Sequence, residues 1–295
     1  MSFRKAEKKQ ARLRLAITGT AGSGKTYGAL LVAKGLGGNI AMIDTENGSG
    51  DLYADSFDYD VCRIQAPYTV QKYLDAISEA EEAGYDVLII DSLSHAWAGE
   101  GGLLDLHTRI VEASKNGNSY TAWGKITPQQ NKLIEKILTS SCHIIATMRA
   151  KTDYIVSSTD YGKTEIKKVG LAPVQRDGVD YEFSVVFDLS INHSATVSKD
   201  RTSIFDGQIF TLSSDTGVKL RQWLDTGVAE ATFSPEEKKA KVADIWRRYL
   251  ALGENDNSKA SFMISQVVGS KKADDLSSFD ITALLDDLKK REESR

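Results

Sequence analysis

Residues 15–36, LAITGTAGSGKTYGALLVAKGL, constrain the fold of this chain more than any other stretch. An apolar run breaks into a glycine-rich turn and then resumes at helical spacing, the pattern of a strand feeding a helix. Gly19-Thr20-Ala21-Gly22-Ser23-Gly24-Lys25-Thr26 matches the P-loop pattern GxxxxGK(S/T) in full, in the strand-then-helix context that the pattern needs. A loop of this kind turns backbone N–H groups inward around a β-phosphate and adds the positive end of the helix dipole. Lys25 is then expected on the β and γ oxygens and Thr26 on Mg²⁺, with Gly19 to Tyr27 as the nucleotide-binding set.

Around that loop the chain alternates strand-like and helix-like patterns: RLAIT, KTYGALLVAKGL, NIAMID, VCRIQA, VQKYLDAISEAEEAG, YDVLIID, PQQNKLIEKILTSS and CHIIATM. Alternation of this kind predicts crossover units and an α/β fold with a central, mainly parallel sheet. From about residue 150 the pattern changes. YIVSSTDYGKTEIKKVG reads as two alternating runs around Asp160-Tyr161-Gly162-Lys163, a β-hairpin insertion with Gly162 in the turn. Strands in EFSVVFDLSI, SATVSK and GQIFTL and a helix in TGVKLRQWLDTG complete an expected core over residues 1–230. Ser234-Pro235-Glu236-Glu237 then reads as a helix start, with Ser as N-cap and Pro at the first helical position. It opens a small α-helical appendage over 235–295.

The length of 295 residues suits one large domain or two unequal ones, and 41% hydrophobic with 26% charged residues excludes collagen-like, disulfide-dense and generally disordered classes. A net charge of −4 excludes a chain coated with positive potential. Basic patches remain at residues 4–14 and 149–176, each readable as a solvated face or as an anion-binding surface. No window reaches the apolar length of a membrane helix and no cleavable leader is evident, so a cytoplasmic protein without membrane partners is expected. Cys62 and Cys142 lie in strand-like apolar runs without zinc spacing and are expected as buried thiols; a metal would arrive with the nucleotide.

Two further strands end in carboxylates. YDVLIIDS places Asp91 at the end of a buried strand, where it can reach Mg²⁺; the alternative is a cap on the following helix. NIAMIDTENGSGDLYA places Asp44 and Glu46 at the carboxyl edge of another strand, where ligands sit in such sheets. A GTPase would show an Asn/Thr-Lys-x-Asp motif after Asp91, and none follows. A small-molecule kinase would show an arginine-rich lid, and residues 100–130 are arginine-poor. Trp97 and Trp123 read as core residues before base-stacking ones, and His95, His107, His143 and His193, lacking ligand spacing, as structural.

At IDTENGSGDLYA the chain resembles the RecA family, whose second strand ends in a similar Ile-Asp-x-Glu segment. The resemblance implies that Glu46 is the catalytic carboxylate that polarises the attacking water; the alternative is an exposed loop acid. The basic leader, IDSLSHAWAG, YTAWGKITPQQN, HIIATMRAKTDYIV, GLAPVQRDGVDYEFSVVFDL and VSKDRT make residues 1–230 similar to the bacteriophage ATP-binding RecA-like proteins of recombination and single-strand annealing. That likeness implies an ATP- and Mg²⁺-dependent ATPase acting on single-stranded DNA as a homo-oligomer, ring or filament, in the host cytoplasm, with a single-strand-binding or annealing protein as a possible partner. Lys199 and Arg201 are the implied basic fingers across a subunit interface, a solvated turn being the other reading of that pair, with Arg149 and Lys151 as alternative fingers or sensors. Loops at 98–122, expected to be mobile, and the hairpin 152–169, with Lys163, Lys167, Lys168, Tyr154 and Tyr161, are the implied DNA contacts; a purely structural hairpin is the alternative. An ATP-gated loader with little hydrolysis and a helicase- or packaging-type motor are the rival functions.

Overall fold

The computed structural model describes residues 10–114, 118–158, 164–227, 235–269 and 278–293, with Lys5, Lys8, Lys272, Ala273 and Leu276; for 152–171, 235, 278 and 279 it describes the backbone alone. The chain divides into two compact units, residues 12–224 and residues 1–11 with 225–295.

The larger unit is an α/β core. Strands β1 (Arg14–Gly19), β2 (Ile40–Asp44), β3 (Asp60–Arg63), β4 (Val87–Asp91), β5 (His143–Ser158), β6 (Thr164–Pro173), β7 (Val185–Leu189), β8 (Ser194–Asp200) and β9 (Ile209–Thr211) form a nine-stranded sheet. Its order is β3-β2-β4-β5-β1-β7-β8-β9, with β6 paired to β5 alone. Pairings from β3 to β7 are parallel; β7-β8, β8-β9 and β5-β6 are antiparallel. Every residue of β1, β2 and β4 is buried, which is why these strands read as continuous apolar runs: helices cover both faces.

One face carries α1 (Lys25–Leu36) and α6 (Ser214–Asp225), with Leu30, Val32, Leu220 and Leu224 packed on Leu15, Ile17, Met42 and Phe187. The other carries α2 (Val70–Glu82) and α5 (Ser119–Thr139), whose Tyr73, Ile77, Leu133 and Ile137 pack on Ile43, Ile90 and Ile144. In α2 the buried residues Val70, Tyr73, Leu74 and Ile77 follow the i, i+3, i+4, i+7 stripe of a half-buried helix.

Three expectations are corrected. The described residues of 98–122 are largely helical: α3 (Ser94–Ala98) leads into α4 (Leu103–Ala113), with Leu103 buried and Leu106 and Ile110 half-buried against the core, and α5 begins at Ser119. Helix α5 therefore starts well before Pro128, which sits inside it, and Asn118 caps it by accepting from the Thr121 N–H at 3.3 Å. Cys62 is exposed, because β3 is an edge strand with one partner; Cys142 is buried as expected. The hairpin holds, with Ser158 opposite Thr164, but β5 is one strand running from the core straight into its first arm. Asp160, Tyr161, Gly162 and Lys163 lie outside the described residues, as does Ser234.

The smaller unit contains α7 (Pro235–Leu252), α8 (Asn257–Val268) and α9 (Ser278–Glu293), which close over Ile245, Tyr249, Ala260, Ile281, Leu284 and Leu288. Tyr249 is fully buried and its hydroxyl donates to Asp287 Oδ2 at 2.7 Å. Gln10 belongs to this unit, its Nε2 donating to the Asp225 carbonyl at 3.2 Å, whereas Arg12 and Arg14 belong to the larger one. Among the described residues, no helix is long and apolar enough to cross a membrane.

Candidate active site

Four parallel strands deliver their carboxyl ends to one place. Gly19 of β1 lies in register with Arg149 of β5, and Asp44 of β2 with Asp91 of β4. The P-loop, the Glu46 segment, Ser92 and Arg149 thus meet at one sheet edge, where crevices form in folds of this class.

The P-loop geometry depends on glycine. Gly24, the N-cap of α1, has φ 86°, a left-handed conformation costly to other residues, and a Cβ there would lie 2.9 Å from His193 Nδ1. A Cβ on Gly19 would lie 2.4 Å from Ser23 Oγ. With no side-chain cap on α1, the first backbone N–H groups of the helix are available to an anion. Ser23 Oγ is buried without a hydrogen-bond partner among the described residues, an orphaned polar atom inside the turn. Lys25 Nζ donates to the Thr20 carbonyl at 2.8 Å, folded across the loop it serves. Burial lowers the Lys25 pKa, against the pull of Asp91 and Glu46.

Thr26 Oγ1 donates to Asp91 Oδ2 at 2.6 Å, and Thr147 Oγ1 donates to Asp91 Oδ1. Asp91 caps no helix; α3 has Leu93 at its N-cap without a side-chain bond. Burial drives the Asp91 pKa up despite both hydroxyl donors, so in this setting the charged carboxylate lacks full compensation. A hydroxyl and a buried carboxylate, hard oxygen donors beside a loop shaped for phosphate, fit a Mg²⁺–nucleotide.

Glu46 stands across from them. Its Oε1 accepts from Ser92 Oγ at 2.9 Å and from Arg149 Nε at 2.9 Å, and Arg149 Nη2 reaches Oε2. Burial pushes its pKa up, but the bonds from Arg149 and Ser92 prevail and hold the carboxyl below its ordinary value. The backbone is pinned as well: the Glu46 N–H donates to Asp44 Oδ1 at 2.7 Å, and the Thr45 N–H to the Asp91 carbonyl at 2.7 Å. Thr45 Oγ1 accepts from the Ser92 N–H at 2.8 Å and lies 2.8 Å from His95 Nδ1, whose ring stacks on Tyr68 at 4.7 Å. His95 is therefore part of the support beneath Glu46.

The other expected residues divide clearly. Arg149 joins the site; Lys151 is exposed farther along β5. Lys199 and Arg201 do not join the P-loop of their own chain. Lys199 is in register with Val186, which is in register with Ala16 near the amino end of β1, the opposite edge from Gly19. There Lys199 Nζ donates to the carbonyls of Asp180 and Tyr181, and Arg201 Nη2 lies 3.5 Å from the latter. Tyr27 packs against Tyr53 and Phe57 at centroid distances of 5.5 and 5.4 Å. In the hairpin, Lys167 and Lys168 stand opposite Ile155 and Tyr154, their side chains outside the description. Trp97 and Trp123 stack at 5.9 Å and pack on the core, and His107 stacks on Trp123 at 4.1 Å. His143 is buried and accepts from the Leu13 N–H at 2.9 Å. His193, read as structural, sits against the P-loop, its Nδ1 at 3.1 Å from the Ser23 carbonyl.

Sequence reasoning passed over Ser92, Thr147 and His193. A hydroxyl inside the apolar run HIIATM was the available signal for Thr147, since a buried polar side chain in a core strand needs a partner. No curated protein matches the chain. A family model described as AAA domain matches residues 11–260, through the whole P-loop core and into the helices beyond it. With that match, the nucleotide-shaped loop and the carboxylates set around it, the chain belongs to the AAA domain family of P-loop NTPases.

Proposed function

We propose that this protein is a Mg²⁺-dependent ATPase that acts on single-stranded DNA as a homo-oligomer, in bacteriophage recombination or replication by single-strand annealing or strand exchange. The observation that carries the hydrolytic part is the meeting of Thr26, Asp91 and Glu46 at one sheet edge, with Thr26 and Asp91 2.6 Å apart and Glu46 held by Ser92 and Arg149. In this reading the turn Gly19 to Thr26 binds the β- and γ-phosphates and Lys25 leaves the Thr20 carbonyl for their oxygens. Thr26 and Asp91 would hold Mg²⁺, which would supply charge neutralisation to the phosphates. Glu46, kept ionised by Arg149, is a weak base; it orients the attacking water rather than taking its proton early. Lys199 and Arg201, remote from their own P-loop, would serve a neighbour's.

The DNA part rests on the resemblance of RAKTDY and SKDRT to the phage proteins and on β5, one strand joining Arg149 to the lysine-bearing hairpin. A single-strand-binding or annealing protein is the expected partner. The Arg149 ion pair on Glu46 also favours a low basal rate, the observation that keeps an ATP-gated loader as the second reading. Steady-state ATP turnover with and without single-stranded DNA tests the proposal. Turnover rising with DNA to a saturating plateau is expected; a rate indifferent to DNA, with no DNA bound, would remove the DNA-dependent reading.

A further inference from the structure

A cavity of about 500 Å³ opens beside the P-loop turn, with Tyr27, Leu31, Tyr53, His193, Thr211 and Leu212 on its wall. That is within the range of about 300–1,000 Å³ usual for small-molecule sites. Leu31 and Leu212 give it apolar sides, and Tyr27 is set in place by its contacts with Tyr53 and Phe57. A flat heteroaromatic ring suits such a wall. Because Gly22, Ser23 and Gly24 line the same cavity, its occupant is continuous with whatever the loop binds: the base of the nucleotide. To this extent the inference rests on the P-loop reading above.

The cavity's polar side chains differ in what they can discriminate. Hydroxyls of Tyr27, Tyr53 and Thr211 rotate, donating or accepting as the ligand requires. His193 is fixed. It lies in the β7–β8 turn at φ 62°, with Nδ1 3.1 Å from the Ser23 carbonyl. A carbonyl only accepts, so Nδ1 carries a proton here, and in the neutral tautomer Nε2 is left as an acceptor. Adenine carries a 6-amino donor where guanine carries the O6 acceptor. We infer that His193 selects adenine over guanine, its Nε2 accepting from the 6-amino group and opposing a carbonyl at that position.

Competition for a fluorescent ATP analogue on the full chain with Mg²⁺ tests this, using ATP, GTP and purine riboside triphosphate, which lacks the amino group. The unaltered protein should prefer ATP over both by about tenfold or more. His193→Ala should bring all three within about threefold of one another. That variant also removes the brace on the Ser23 carbonyl, so all three affinities can fall together; their ratio is what reads the base contact. Unchanged ratios in His193→Ala, or equal binding of ATP and the purine nucleotide by the unaltered protein, would overturn the inference while leaving the P-loop intact. Lys25→Ala separates the two readings: loss of all three nucleotides is expected, and retained binding would overturn the P-loop assignment and this one with it.

Discussion

Glu46 shows how one residue's surroundings define what chemistry it can do. Burial alone would raise its pKa and make it a better base; the guanidinium of Arg149 and the hydroxyl of Ser92 reverse the sign. A carboxyl whose folded pKa is depressed stays ionised further into acid, and the stability it contributes is lost only as pH falls through that depressed value. Arg149→Met deletes the guanidinium's lowering bonds and leaves the burial and the Ser92 bond, so the Glu46 pKa rises. The acidic limb of the kcat–pH profile should therefore move to higher pH in Arg149→Met, and a limb that stays in place would contradict the assignment. At this scale the sequence was legible where the chemistry is contiguous: Gly19 to Thr26 form one uninterrupted motif, and Asp91 ends a continuous apolar strand. Arg149, Thr147 and His193 are brought in by register and by a distant turn, with Gly19 opposite Arg149 and His193 folded back on Ser23. The hydroxyl within HIIATM marks Thr147 and the resemblance names Arg149, but no local pattern encodes which residues become their neighbours.

Elements follow the same division. The strands covered on both faces and helix α2 are plain in their hydrophobic period, because burial on one or two faces imposes it directly. Helix α4 falls in the 98–122 stretch that the resemblance reads as a loop; glycines at 99, 101 and 102 precede it, and its buried stripe is short. The pattern PQQNKLIEKILTSS covers only the later part of α5, because the chain already turns helically from Ser119 under the Asn118 cap, with Pro128 inside the helix. The three-helix unit draws on a small core, in which Leu284 is fully buried against Ile245 and Tyr249. Leu284→Ala should cost about 2–5 kcal/mol, a large fraction of what a unit of that size can muster. Limited proteolysis of the full chain should then cut first within 235–293; cleavage unchanged from the unaltered protein would show that this core is not what orders the helices.

For the whole molecule, a sheet with a helix layer on each face sets the carboxyl ends of β1, β2, β4 and β5 side by side. That arrangement turns residues distant in sequence into one acidic, hydroxyl-lined and phosphate-shaped edge. The opposite edge carries Lys199 and Arg201, a separation that makes any catalytic role for them a matter between subunits. Family membership extends over residues 11–260 and so includes part of the helical unit as well as the core. The central claim is that Glu46 drives hydrolysis of a nucleotide that the P-loop binds without it. Mg²⁺-dependent ATP turnover of Glu46→Gln, measured beside its affinity for a fluorescent ATP analogue, tests this most directly. The account predicts turnover reduced about a hundredfold or more with affinity within about threefold of the unaltered protein; turnover at the unaltered rate would contradict it.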